Sequence, residues 1–238
     1  ADHLPVKSKF KDDWIPVHCA EPRWGPGSGP VIQRRADEVL ATGLYEPSTG
    51  PSASRPHIVK KVPPGAPKDC PIEQCDLRFC GDYRAANDQL KKSVPTLPDG
   101  PEELRKLGGY DIYFCTDHYG MYNCYILAKG DTRELLAIHT PRGPIQPTRM
   151  VFGEKNAGQV ASNPVRTKLR NLPDNAGDRT ACYVDDNAQG NFLLDSDDPL
   201  IRYSKFIKGW TDYLQMCKDN NWTLNPAKTR LGFAYVTF

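Results

Sequence analysis

The chain has 238 residues, 39% of them hydrophobic and 25% charged, which excludes a disordered polyelectrolyte and supplies a core for one large domain or two small ones. Its 31 Lys and Arg against 29 Asp and Glu leave a net charge of +2, too little to hold nucleic acid by bulk electrostatics alone. Such a balance still suits an enzyme that keeps carboxylates in one place and cations in another.

Residues 1–30 are rich in Pro and Gly and carry no period, so they are expected to form an extended arm. VIQRRADEVLAT (31–42) predicts an amphipathic helix with Val31, Val39 and Leu40 on its apolar side and Arg34, Arg35, Asp37 and Glu38 on its polar side, ended by Gly43. After a turn-rich loop, HIVKKV (57–62) and LRFCGDY (77–83) read as two strands of a hairpin with a long, proline-broken tip. PEELRKL (101–107) is a short helix with Pro and acids in its first turn, and DIYFCTD (111–117) is an aromatic-rich strand. A second hairpin is expected at 124–140 with KGD as its turn, a partly helical stretch at 156–172, and a third hairpin at 179–196. The strongest helix spans 199–221, where Leu200, Tyr203, Phe206, Ile207, Trp210, Tyr213, Leu214 and Cys217 recur at three or four. FAYVTF (233–238) predicts a final strand. One sheet with helices on a face makes the fold class α+β.

The 8 Cys lie at 19, 70, 75, 80, 115, 124, 182 and 217. The first residues are polar rather than leader-like, and no apolar run reaches membrane-spanning length, so no membrane partner and a reducing intracellular setting are expected. Cys70, Cys75 and Cys80 have four residues between neighbours; zinc would need a fourth ligand, for which His57 is the candidate, and unpaired thiols are the plainer expectation.

Two features carry chemistry. Asp117 ends an aromatic strand, and Asp185 and Asp186 interrupt an otherwise strand-like run between Tyr183–Val184 and Phe192–Leu194. Adjacent acids repel and form poor strands, so a solvated turn accounts for them, as does a hairpin tip that aims carboxylates into a cleft. Carboxylates gathered there suit magnesium, which prefers few carboxylates together with phosphate oxygens. Two such ions clamp an in-line phosphoryl displacement.

YVDD (183–186) resembles the Tyr-x-Asp-Asp signature of reverse transcriptases, and its neighbours extend the likeness. LYEPSTGPSASRPHIVKK (44–61) and RFCGDYRAAN (78–87) are similar to the fingers of Ty3/gypsy-type LTR retrotransposon polymerases. LGGYDIYFCTD (107–117) resembles their segment that ends on the first catalytic Asp, TPRGPIQPTRMVFGEKNAG (140–158) is similar to their Thr-Pro-x-Gly to Phe-Gly-x-x-Asn-Ala stretch, and TLNPAKTRLGFAYVTF (223–238) resembles the motif that closes their palm, in the same order. The resemblance implies a right-hand polymerase: residues 31–238 as fingers and palm after the 1–30 arm, with fingers over about 31–95 and 125–155, and an antiparallel palm sheet backed by helices. It implies RNA-directed DNA polymerase activity, a two-metal transfer of dNTPs onto a primer 3′-hydroxyl, with Mg2+ or substituted Mn2+. Asp117, Asp185 and Asp186 would bind both ions, Asp186 less directly. Tyr122 falls at a gate that excludes a ribose 2′-hydroxyl; its ring is expected beside Phe152 and toward Asp117, the plainer alternative being that it or Tyr119 simply packs. Lys60, Lys61 and Arg78 would meet the triphosphate, Phe152, Gly153 and Tyr183 would border the substrate, and Lys228 would protonate pyrophosphate, unless it is a solvated turn lysine.

The chain departs from that pattern at Met121 (usually Gly), at Val151, Glu154 and Gly158, at Asn187-Ala188-Gln189, and by an insertion around 63–76. It ends at Phe238, where the family continues into thumb, connection and RNase H, so low processivity is expected. Expected partners are a primed RNA or DNA template, dNTPs, and the remaining polyprotein domains or a partner subunit, in cytoplasm, nucleus or retroelement particle. The competing reading is a domesticated, catalytically weak or inactive derivative with a structural or assembly role.

Overall fold

The computed structural model describes residues 4–63, 65–71, 75–93 and 99–235. In chain order its first half holds α1 (Ser28–Ala41), β1 (Tyr45–Pro47), β2 (Pro56–Lys61), β3 (Asp76–Gly81), α2 (Arg84–Asp88), α3 (Gly100–Arg105) and β4 (Ile112–Asp117). There follow α4 (Asp131–Glu134), β5 (Ile145–Pro147), α5 (Ala157–Arg170), β6 (Thr180–Tyr183), β7 (Asp186–Asn191), α6 (Pro199–Arg202), α7 (Ser204–Asp219) and β8 (Arg230–Phe233). The backbone divides into two compact units, one of His3–Ser93 and Tyr125–Ala157, the other of Ala1–Asp2, Val94–Cys124 and Gly158–Phe238. No described helix is long and apolar enough to cross a membrane.

In the first unit, residues 4–27 run as an irregular extended stretch that borrows hydrogen bonds from its neighbours. The Val6 N–H bonds the Ile126 carbonyl at 2.8 Å, and the Ala53 N–H bonds the Val17 carbonyl at 2.7 Å. α1 begins three residues before the pattern predicts and buries Ile32 and Ala36, while Val31, Val39 and Leu40 are only half-buried. Gly43 ends it with φ +71, as glycine's freedom in the left-handed region allows. β2 and β3 form the expected antiparallel pair, Val59 opposite Arg78, and β1 pairs with β5.

The segment 124–140 is not a hairpin. Gly130 turns the chain (φ +81, ψ −144) into α4, and Ile138 pairs instead with Ile145. The cause is tertiary: the buried Arg133 guanidinium donates through Nε and Nη2 to the Leu127 carbonyl at 3.0 and 2.9 Å and through Nη1 to Glu46 at 3.0 Å. Only the helical turn delivers that fork to its acceptors, and a buried guanidinium without them would be costly.

The second unit is built on an antiparallel sheet in the order β6-β7-β4-β8. On β4, Ile112, Phe114 and Thr116 point to one face and Tyr113, Cys115 and Asp117 to the other, by the two-residue period of a strand. α7 covers the first face. Phe114 is fully buried, with ring centroids of Trp210 and Tyr213 at 5.0 and 5.2 Å. β7 presents Asn187, Gln189 and Asn191 to the same helix, all buried, and Gly209 permits the approach, since a Cβ there would stand 2.7 Å from Oε1 of the Gln189 side-chain amide. The buried side of α7 is therefore Gly209, Tyr213, Met216 and Cys217, whereas Leu200, Ile207 and Leu214 of the predicted stripe are exposed. The helix also breaks at Tyr203, because Asp198 caps a separate turn, accepting the Leu200 N–H at 2.8 Å, with Pro199 behind it. The last strand lies earlier than predicted, at Arg230–Phe233 rather than 233–238; residues 236–238 lie outside the described residues.

Candidate active site

The third predicted hairpin forms with a two-residue tip. Tyr183 pairs with Asp186, leaving Val184 and Asp185 to turn the chain, and Val184 takes φ +56. A β-branched residue in the left-handed region is costly, so the surrounding pairing must hold it there. The His118 N–H supplies part of that hold by bonding the Asp185 carbonyl at 2.9 Å. Across the sheet Asp117, the last residue of β4, stands directly opposite Asp186, the first of β7.

Asp117 is only 7% exposed, and its charge has partners. Lys228 Nζ donates to Oδ1 at 2.5 Å and Asn225 Nδ2 to Oδ2 at 3.4 Å, while the Asn225 N–H bonds the Asp117 carbonyl at 2.8 Å. Lys228 thus bonds Asp117 while its side chain stays 57% exposed, and that bond raises its pKa. Asp186 is pushed up, first by partial burial of its carboxyl and then by the charges of Asp185 and Asp117, with Lys228 opposing. Asp117, Asp186, Asn187, Lys228 and Arg230 line one cavity of about 620 Å³.

Tyr122 sits on the 3₁₀ turn Met121–Cys124, half-buried, and burial followed by the Asp185 charge raises its hydroxyl pKa. Met121 points inward at 3% exposure, and Tyr119 is 67% exposed, so it is not the packed ring. Tyr183 is exposed at the hairpin end. Behind Asp117, the hydroxyls of Thr116 and Tyr213 meet at 2.7 Å and Tyr213 reaches His118 Nε2 at 3.2 Å. Burial lowers the His118 pKa to about 4, so the ring is neutral there. This buried chain and Asn225 were not singled out from sequence; Asn225 lies within TLNPAK, but nothing in the pattern marks its contact with Asp117.

The remaining sequence-predicted residues belong to the other unit. Arg78 carries its guanidinium 5.7 Å from the Phe152 ring centroid, and Phe152 is exposed. Gly153 has φ +89 and offers its carbonyl to Asn87 Nδ2 at 2.7 Å. Lys61 is exposed, but Lys60 Nζ donates to the carbonyls of Lys68 (3.3 Å) and Cys70 in the connection between β2 and β3. Glu154, one of the departures, is buried and accepts the Asn156 N–H at 2.7 Å, closing the turn that leads into α5.

Among the described residues, no three His, Cys, Asp or Glu side chains converge on a single metal position. This bears on two expectations. The spacing for zinc at Cys70, Cys75, Cys80 and His57 gathers no such group, and of the three acids only Asp117 and Asp186 stand face to face. Two facing carboxylates nevertheless fit magnesium, a hard ion that is commonly held by one or two carboxylates with substrate phosphates. The charge that Asp117 holds in this structure is the Lys228 ammonium.

No protein-family model matches the chain. Over 155 residues, 65% of its length, it is 25% identical to the retrovirus-related Pol polyprotein from transposon opus of Drosophila melanogaster. The chain spans 14% of that polyprotein. Among solved structures it is similar to the foamy viral protease-reverse transcriptase dRH in complex with double-stranded DNA, at TM-score 0.76 and 18% identity over 99% of this chain and 37% of that one. It is also similar to the foamy viral protease-reverse transcriptase in complex with an RNA/DNA hybrid, at TM-score 0.75 and 18% identity over 96% and 27%. The fold is that of reverse transcriptase fingers and palm.

Proposed function

We propose that this region is an RNA-directed DNA polymerase that adds dNTPs to a primer 3′-hydroxyl on an RNA or DNA template. The observation that carries the reading is the facing pair Asp117 and Asp186, one residue from Asp185 and bonded through Asp117 to Lys228. Asp117, Asp185 and Asp186 would hold magnesium, or manganese in its place, and the bound ions would supply charge neutralisation at the phosphates and acidify the primer hydroxyl. Lys228 would then turn its Nζ proton from Asp117 toward the departing pyrophosphate. Arg78, Lys60 and Lys61 would offset triphosphate charge, with Phe152 and Gly153 at the pocket border and Tyr183 against the primer end. Tyr122, half-buried within the field of Asp185, would exclude the ribose 2′-hydroxyl by bulk. The remaining domains of a longer polyprotein, or a partner subunit, would complete the grip on primer and template.

Primer extension on poly(rA)/oligo(dT) with magnesium tests this. The parent chain is expected to extend, and Asp185→Asn to lose extension while keeping its circular dichroism. Equal extension by both would sink the assignment.

A second reading, a reverse-transcriptase-derived assembly protein, draws on the absence of a converged three-ligand group among the described residues and on the ammonium already bound to Asp117. It expects no extension by the parent at any magnesium or manganese concentration.

A further inference from the structure

The connection between β2 and β3 brings two sulfurs together. Cys70 Sγ and Cys75 Sγ lie 2.8 Å apart, Cys70 buried and Cys75 half-exposed. The Cys70 N–H bonds the Pro67 carbonyl at 3.0 Å, so a tight turn delivers the buried sulfur. The Cys70 carbonyl accepts the ammonium of Lys60, which also donates to the Lys68 carbonyl at 3.3 Å. Cys70 is therefore at once one half of a thiol pair and a ligand of the β2 lysine. Cys80, the third cysteine of the cluster, lies on β3 opposite His57, and burial pushes its thiol pKa up, which disfavours the reactive thiolate.

We propose that Cys70 and Cys75 form a reversible disulfide that fixes this connection and holds Lys60 on the Cys70 carbonyl. Sulfurs already in contact need little backbone movement to bond. In a reducing compartment such a bridge is a redox-sensing site rather than a permanent staple. The oxidant is a low-molecular-weight disulfide such as oxidised glutathione. The Cys75 thiolate attacks one of its sulfurs, forming a mixed disulfide and releasing one glutathione thiolate. The Cys70 thiolate then attacks Cys75 Sγ, forming the internal bridge and releasing the second. The protein loses two protons and two electrons, and two molecules of reduced glutathione carry them away. Resting on the polymerase reading, a Lys60 so held is withdrawn from the incoming triphosphate, and oxidation raises the KM for dNTP.

The test uses the whole chain equilibrated in mixtures of reduced and oxidised glutathione. Peptide mass mapping is expected to find a bridge between Cys70 and Cys75 that persists in Cys80→Ser and disappears in Cys75→Ser. Labelling by an amine-reactive acetyl ester is expected to slow about tenfold at Lys60 on oxidation of the parent, because the bridge restrains an acceptor that the ammonium already bonds, and to be insensitive to oxidation in Cys75→Ser. A bridge to Cys80, a persistent glutathione adduct, a zinc-bound mass or redox-independent Lys60 labelling would each overturn the proposal. Neither measurement depends on catalysis, so a chain that forms the bridge and slows Lys60 but extends no primer would count against the polymerase reading alone.

Discussion

Asp186 carries the electrostatic tension of the site. Its carboxyl is raised by burial and then by Asp185 and Asp117. A carboxyl whose native pKa exceeds its unfolded value favours the fold where it is protonated; that stabilisation is present at acid pH and is lost as pH rises through the native value. Near neutrality the charge therefore opposes folding. Asp186→Asn, without divalent cations, should raise the melting temperature at pH 7 by a few degrees, with the gain shrinking at acid pH as the parent carboxyl takes up its proton. A melting shift equal at both pH values would assign the effect to something other than charge. Tyr122 makes the steric counterpart. In an active polymerase, Tyr122→Val should raise the ratio of ribonucleotide to deoxynucleotide incorporation at least about tenfold, because a clash is removed rather than a contact. An unchanged ratio, measured by gel-resolved single-nucleotide addition, would place sugar selection elsewhere. The acids and the tyrosine were legible as a motif; the raised pKa of Asp186 was not, because it depends on which side chains crowd the carboxyl.

At the scale of elements, β4 and the 180–191 hairpin were readable because each joins a local pattern to a local turn. The helix over 199–221 was readable as a helix, and its buried side in part: Tyr213 and Cys217 of the predicted stripe are buried, and Phe206 and Trp210 pack against Phe114. Apolar periodicity also selects the exposed Leu200, Ile207 and Leu214, whereas β7 meets the helix with amides and therefore needs the small Gly209 at the contact. Some polar groups there are bonded in chains, Gln189 Nε2 reaching Thr180 Oγ1 at 2.8 Å and Tyr213 linking Thr116 to His118, while Oδ1 of Asn187 and of Asn191 find no hydrogen-bond partner. Tyr213→Phe removes the shared hydroxyl from a fully buried position and leaves two polar neighbours short of a partner, at a cost of about 1–3 kcal/mol. Urea unfolding should show it as a lower midpoint at unchanged slope; no shift in midpoint would mean that water replaces the hydroxyl. The 124–140 segment failed as a hairpin for a related reason, since Arg133 finds its acceptors through Leu127 and Glu46 and no turn propensity encodes them.

For the whole molecule, a net charge of +2 limits how nucleic acid can be held. If the polymerase reading is right, a few placed cations do the binding, and the affinity for an RNA/DNA hybrid should fall about ten- to fortyfold between roughly 50 and 200 mM salt, as two or three phosphate contacts require. Fluorescence anisotropy across a salt series would measure it, and salt-independent binding would contradict it. Most strand and helix identities outside 124–140, the α+β class, the acid signature and the resemblance to reverse transcriptases were available from pattern alone, because hydrophobic period and short motifs are written in neighbouring residues. Pairing Asp117 with Asp186, seating Lys228 and Asn225 on Asp117, bringing the Cys70 and Cys75 sulfurs together and burying Arg133 each needed the folded chain. These contacts unite residues distant in sequence or fixed by backbone geometry, and their free energy depends on burial and hydrogen-bond direction, neither of which a linear pattern records.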